Sequence, residues 1–202
     1  MLSPDAVLFD MDGVLVDSFH AWLQALNAAL RRFDHEELSE KEFRRTYWGH
    51  DLYENLRRLG IDDKIGVFCL AVFDDYVDGI KIFPATRDVL QRLAGYPMAL
   101  VTNTPERCVD SILTHFDIDD YFQAVVTPDD VTQGKPDPEM LLEACRRLEV
   151  QPSRTVFVGD TDSDVRAGRA AGCTVIGIQV DADETIGSIA DVPSLLQTKQ
   201  YV

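Results

Sequence analysis

Phe9-Asp10-Met11-Asp12-Gly13-Val14-Leu15-Val16-Asp17-Ser18 decides how this chain is read. The residues leading into it, Ala6 to Phe9, form an apolar run too short for a typical helix and suited to a buried strand. That strand ends on two carboxylates two residues apart, on a loop that Gly13 allows to bend sharply. In an open parallel sheet, ligands bind beyond the carboxyl ends of the strands, so Asp10 and Asp12 stand where chemistry would be done. An acidic turn is also common as a plain solvated loop. It is not a helix-loop-helix calcium site, which needs Gly at the sixth position and Glu at the twelfth; Leu15 and Ala21 stand there. The second acidic run, Asp160-Thr161-Asp162-Ser163-Asp164, fails the same test at Val165 and Ala171.

Working outward, further strand candidates occur at Met98-Thr102, Ala124-Val126, Thr155-Gly159 and Thr174-Ile178. Helical patterns at Pro84-Ala94, Pro105-Phe116 and Pro138-Leu148 lie between strand candidates, each led by a proline suited to a first turn. Thr104 and Asp137 are the expected caps of the last two, and Asp162 of the helix after the second acidic run. The alternation predicts an α/β fold, a Rossmann-like parallel sheet with helices on both faces. Residues 19 to 81 break the rhythm with helical patterns and no clear strand. Phe19, Trp22, Leu23, Leu26, Leu30 and Phe33 make one apolar helix face, and Ile65, Phe68, Val72, Phe73 and Tyr76 another. The expected organisation is a core of residues 1–17 and 82–202 with an inserted α-helical cap at 18–81, joined by two chain crossings near Asp17-Ser18 and Lys81-Pro84 as a two-strand hinge. The stretch Ser194-Val202 reads as a frayed end.

The 202 residues can bury a full core, and 46% apolar with 27% charged residues is the composition of an ordered protein. The longest apolar stretch, Ile65 to Phe73, is far too short to span a bilayer, and no secretory signal pattern opens the sequence. Cys69, Cys108, Cys145 and Cys173 show neither metal-ligand nor redox spacing and read as core residues in a reducing compartment. A cytoplasmic location is expected. A net charge of −16 without a basic cluster argues against nucleic acid, and against membrane association there is no hydrophobic span. Asp (25) outnumbers Glu (10), and Arg (14) outnumbers Lys (5); this reads as an ordinary acidic surface, with salt adaptation as the alternative.

The first segment, then Val101-Thr102-Asn103, then Gly134-Lys135-Pro136-Asp137-Pro138, then Val158-Gly159-Asp160-Thr161-Asp162-Ser163-Asp164, together resemble the four motifs of the haloacid dehalogenase superfamily, in order and on the expected strand ends. The helical insertion is similar to that family's small cap placed just after the first motif. The resemblance implies a Mg²⁺-dependent phosphohydrolase working through an aspartyl-phosphate. It implies Asp10 as nucleophile and Asp12 as general acid/base. Asp10, the Asp12 main-chain carbonyl and Asp160 would hold the metal, hard oxygen ligands suiting Mg²⁺. Thr102 and the Asn103 main-chain amide would bind phosphate oxygens, Lys135 would stabilise the accumulated charge, and Asp164 would orient Lys135 or a metal-bound water from behind. Gly49 and His50, in a cap turn, are the candidate substrate contacts from above, while His20, His35 and His115 read as structural or surface residues.

Within the superfamily, the complete Asp10/Asp12 pair favours phosphoryl transfer over dehalogenation, and neither Lys41 nor Lys64 fits the Schiff-base lysine of the phosphonate-cleaving branch. The cap shows no clear match to the sugar-phosphate loop of β-phosphoglucomutases. The pattern looks most like phosphoglycolate phosphatases acting on a small phosphorylated metabolite. Alternatives are a pyrophosphatase, a sugar or nucleotide phosphatase, a β-phosphoglucomutase-like phosphotransferase, or a binding module that merely retains the fold. Oligomeric state is not encoded in any of these features.

Overall fold

A computed structural model describes residues 1–196. Strands form at Ala6–Phe9 (β1), Val16–Asp17 (β2), Lys81–Ile82 (β3), Met98–Val101 (β4), Ala124–Val126 (β5), Thr155–Gly159 (β6), Thr174–Ile178 (β7) and Glu184–Ile186 (β8). Six of them make one parallel sheet in the order β5-β4-β1-β6-β7-β8. Every residue of β1, β4 and β6 is buried, the near-continuous apolar composition that a sheet covered on both faces requires. After β1 the chain builds β4 and β5 on one side, then β6 to β8 on the other, so the order reverses at β1 and opens a crevice at its carboxyl end.

The helices are Phe19–Arg32 (α1), Glu40–Glu42 (α2), Leu52–Leu59 (α3), Lys64–Phe73 (α4), Thr86–Arg92 (α5), Glu106–Phe116 (α6), Glu139–Arg147 (α7), Asp162–Ala171 (α8) and Val192–Leu195 (α9). The stripe read along α1 packs on α4, where the Trp22 and Phe73 rings approach to 4.3 Å. From α2 the chain continues through a π-helical turn at Phe43–Tyr47, and Asp51 caps α3 by accepting a 3.0 Å bond from the Glu54 amide. One buried apolar cluster holds both sheet residues such as Phe9 and Leu100 and residues of the helical insertion such as Leu26, Phe43 and Leu56, so the insertion sits on the sheet.

Several local expectations are corrected. β2 and β3 pair antiparallel at Asp17↔Lys81, at the two chain crossings read as a two-strand hinge; the ladder itself was not readable, because two-residue strands carry no readable period. β8 is a largely exposed edge strand without the apolar run used to find the others. Helices led by Pro84, Pro105 and Pro138 begin one or two residues later than read. Thr104 does not cap α6; its hydroxyl is drawn to Asp12. Thr161, not Asp162, caps α8, because Asp164 completes a reciprocal capping box with it. Ser194 and Leu195 belong to α9 and Leu196 bridges to Leu2, so the expected frayed end is ordered to that point; 197–202 lie outside the described residues. Among the described residues no helix is long and apolar enough to cross a membrane.

Candidate active site

β1 delivers Asp10 directly from a buried strand: its amide donates to the Val158 carbonyl at 2.9 Å, so the backbone is still in the ladder where the side chain leaves it. Gly13, at φ 84°, then turns the loop. A Cβ at Gly13 would collide with the Asp160 carboxylate, so a side chain is excluded there by space as well as by conformation. β4 delivers Thr102 and Asn103, the loop before α7 delivers Lys135, and β6 delivers Asp160.

Lys135 is buried and spends all three ammonium donors: 2.9 Å to Asp10 Oδ1, 2.7 Å to Asp164 Oδ1 and 3.0 Å to the Val101 carbonyl. Burial works against its charge, but Asp10 and Asp164 outweigh that and raise its pKa above the ordinary lysine value. Asp10 Oδ1 also accepts from the Met11 amide at 2.7 Å. Burial pushes the Asp10 carboxyl up to about 7, against the pull of Lys135 and with the push of Asp164 and Asp12. Asp160 is raised well above the carboxylate range for the same reasons, burial first and then Asp164 and Asp10.

The Asp12 carboxylate is held by three hydroxyls. Ser18 donates to Oδ1, while Thr104 (2.7 Å) and Thr102 (3.3 Å) donate to Oδ2. Asn103 turns its amide sideways. Its Oδ1 accepts from the Lys135 amide at 2.9 Å, and its Nδ2 donates to the Lys135 carbonyl at 2.9 Å and to the Gly49 carbonyl of the helical insertion at 3.2 Å.

Asp10, Asp160 and Asp164 each place a carboxylate oxygen within 4.8 Å of the others, a spacing open to a cation. Their chemistry fits one unevenly. Both Asp164 oxygens are already engaged: Oδ1 by Lys135, and Oδ2 by Thr161 Oγ1 at 2.6 Å and by the Thr161 and Asp160 amides. Asp160 Oδ1, in contrast, is buried without a hydrogen-bond partner among the described residues. Asp10 and Asp160 are both pushed above the carboxylate range by burial and by neighbouring carboxylates, and a divalent cation held by the two would offset that repulsion.

Asp10, Asp12, Thr102, Asn103, Lys135, Gly49 and His50 all line one chamber between sheet and insertion, with Asp160 and Asp164 beside Asp10 rather than on its wall. Gly49 approaches the sheet side closely enough that a Cβ there would lie 3.0 Å from Thr161. His50 is only half-buried, and its Nδ1 lies 3.5 Å from Glu54 Oε2. Sequence reasoning missed Ser18 and Thr104 as the holders of Asp12, and Trp48 and Asn55 on the chamber wall. Thr104 had a signal, a second hydroxyl two residues beyond Thr102; Asn55 had none, since a single amide in a helix has no period.

A sequence model described as haloacid dehalogenase-like hydrolase matches residues 7–178, which takes in every motif side chain placed above. The chain belongs to this family. Among curated members, it is 32% identical to a phosphoglycolate phosphatase of Pseudomonas putida over 208 residues, covering 96% of this chain and 76% of that one. It is also 32% identical to a phosphoglycolate phosphatase of Escherichia coli O157:H7 over 201 residues, covering 85% and 80%. Among solved structures, the HAD phosphatase from Thermococcus onnurineus superposes with a TM-score of 0.72 at 27% identity, covering 95% of this chain and 97% of that one. CbbY from Rhodobacter sphaeroides, solved in complex with phosphate, shares the fold at TM-score 0.85 and 23% identity over 94% and 96%. The haloacid dehalogenase-like hydrolase fold therefore covers the chain from β1 to β7, with the helical insertion included.

Proposed function

We propose that this haloacid dehalogenase-like hydrolase is a cytoplasmic, Mg²⁺-dependent phosphatase of a small phosphomonoester, working through an aspartyl-phosphate on Asp10. The observation that carries the reading is the division of labour between two carboxylates on one loop. Asp10 is buried against Lys135, and Asp12 is held apart by the Ser18, Thr102 and Thr104 hydroxyls. Separate environments let chemically identical groups take different roles.

Asp10 Oδ1 is occupied by Met11 and Lys135, so Oδ2 is the attacking atom. It forms a bond to phosphorus as the ester P–O bond breaks, and Asp12 gives its proton to the departing alkoxide. Water then attacks phosphorus, Asp12 takes a proton from it, and the Asp10 Oδ2–P bond breaks to release inorganic phosphate. The 3.3 Å bond from Thr102 is the longer of the two threonine bonds to Asp12, so this hydroxyl can turn to a phosphate oxygen while Thr104 keeps the carboxylate in place. The Asn103 main-chain N–H serves a second phosphate oxygen, and Lys135 offsets the charge that accumulates. Asp10, Asp160 and the Asp12 main-chain carbonyl would hold the Mg²⁺, which when bound draws the anionic phosphate towards the carboxylates. Residues 18–81 act as a cap over a core of 1–17 and 82–202, excluding bulk water until the alcohol has left. The relatives' name makes phosphoglycolate the first ester to assay.

The test is phosphate release from p-nitrophenyl phosphate and phosphoglycolate with Mg²⁺ and with chelator, joined to acid-quench trapping of ³²P on the protein. Acid-stable, hydroxylamine-labile label that disappears in Asp10→Asn is expected. Turnover that persists in Asp10→Asn, or is indifferent to chelator, overturns the reading.

A further inference from the structure

Floor and roof of the chamber differ in chemistry, and the roof bears on the substrate. The helical insertion contributes Trp22, Leu26, Phe43, Tyr47, Trp48 and Leu52 to the wall. The charged side chains lining the chamber are Asp10, Asp12 and Lys135, apart from the titratable His50, and Lys135 has no donor to spare. Burial lowers the His50 pKa, with Arg58 and Arg166 acting in the same direction and Glu54 against them. The arginines of this region lie elsewhere: Arg44 stacks 3.8 Å over the Phe19 ring, and Arg57 and Arg166 line a second cleft. A leaving group with its own carboxylate would therefore bring a second anion against apolar walls with no cation to receive it.

Two polar atoms in that roof lack a hydrogen-bond partner among the described residues, His50 Nδ1 and Asn55 Oδ1, and the second belongs to the more deeply buried side chain. Asn55 is 4% exposed and lines the chamber. Its Nδ2 donates to the Tyr47 main-chain carbonyl at 3.0 Å; a carbonyl can only accept, so this bond fixes which end of the amide is nitrogen. Oδ1 is left buried with no partner among the described residues. A buried acceptor with no partner is costly, and a donor on the ligand would satisfy it.

We propose that the alcohol released here is neutral, has an apolar or ring-shaped body that packs on the aromatic roof, and donates a hydroxyl to Asn55 Oδ1. This rests on the phosphatase reading above and makes Asn55 a specificity-determining residue. It separates this site from the substrate for which its relatives are named.

The experiment measures kcat/KM of the full chain with Mg²⁺ for p-nitrophenyl phosphate, phosphoglycolate, phenethyl phosphate and the three ring-hydroxylated phenethyl phosphates. The best hydroxylated isomer should exceed phenethyl phosphate by about tenfold, the scale of one satisfied buried acceptor, and should exceed phosphoglycolate by more. In Asn55→Leu the ratio of hydroxylated to plain phenethyl phosphate should fall to about one, a ratio within one variant that does not depend on the fraction folded. Trp48→Arg, which puts a cation in the roof, should raise phosphoglycolate relative to phenethyl phosphate, and it serves if Asn55→Leu does not fold. Preference for phosphoglycolate in the unaltered protein, or a hydroxyl preference unchanged in Asn55→Leu, overturns the proposal while leaving the phosphatase reading intact. Failure to release phosphate from any compound, p-nitrophenyl phosphate included, overturns both.

Discussion

On the sheet side of the chamber, polar atoms crowd together and nearly all are engaged: one ammonium meets two carboxylates and a carbonyl, and Asp12 is gripped by three hydroxyls. On the helical side, rings and aliphatic chains face the same space, and the groups unpartnered among the described residues are Asn55 Oδ1 and His50 Nδ1. The contrast follows from how each side is made. Strand ends in a parallel sheet converge on one crevice whatever their sequence separation, so the floor can assemble Asp10, Thr102, Lys135 and Asp160 from four distant segments. The roof is an amphipathic unit that must bury a stripe somewhere, and part of that stripe is left facing the chamber.

If the floor does the chemistry and the roof selects the alcohol, substitutions in the two should fail differently. Asp10→Asn should lower kcat by at least about a thousandfold on every ester alike, with the fold kept, as steady-state kinetics alongside circular dichroism would show. Lys135→Ala leaves Asp10 and Asp164 buried without their ammonium. Besides abolishing turnover it should cost about 3–5 kcal/mol in denaturant unfolding. Thr104→Val removes the shorter threonine bond to Asp12 and should reduce kcat about tenfold while KM on any one ester moves little; a change confined to KM would place Thr104 with the roof instead.

Metal removal tests the floor's charge balance. A carboxyl whose folded pKa is raised holds its proton in the native state after the unfolded chain has lost it, so stability falls as pH rises from the unfolded value of 3.8 to the folded value of about 7. Chelated protein should therefore lose melting temperature between pH 4 and 7, and Mg²⁺ should flatten that slope; identical slopes with and without Mg²⁺ would mean the carboxylates do not hold it. The smallest effect is expected where the two regions touch at the surface. Asp74 accepts from Arg107 (3.0 Å) and Ser111 (2.8 Å) of α6, both exposed, so Asp74→Asn should change stability by less than about 1 kcal/mol.

The same contrast explains what could be read from the sequence. The floor was legible because strands of a covered sheet are short apolar runs, and their ends fix where Asp10, Thr102 and Asp160 must fall. Asp164 was also legible, four residues on in a helix, and it does meet Lys135, at 2.7 Å. Thr104 was read as a helix cap because a hydroxyl before a proline-led helix usually is one; only the tertiary approach of Asp12 shows the competing partner. Gly49 and His50 were placed at the chamber, yet the chemistry of its roof was not visible. Trp22, Leu26 and Phe43 look like ordinary core positions in one dimension, and which of them face a cavity depends on how α1, α3 and the π-helical turn are set against one another.

The Asn103 amide ties the two regions together with unequal strength. Two 2.9 Å bonds fasten it to the Lys135 backbone, and one 3.2 Å bond reaches the Gly49 carbonyl. If the helical unit lifts to let product out, only that last and longest bond need break at this point. The lysine keeps its address while the doorway opens, so the anion-stabilising floor need not be rebuilt before the next molecule arrives. Wear on the cycle then falls on the Gly49 turn, whose positive φ would strain any residue but glycine.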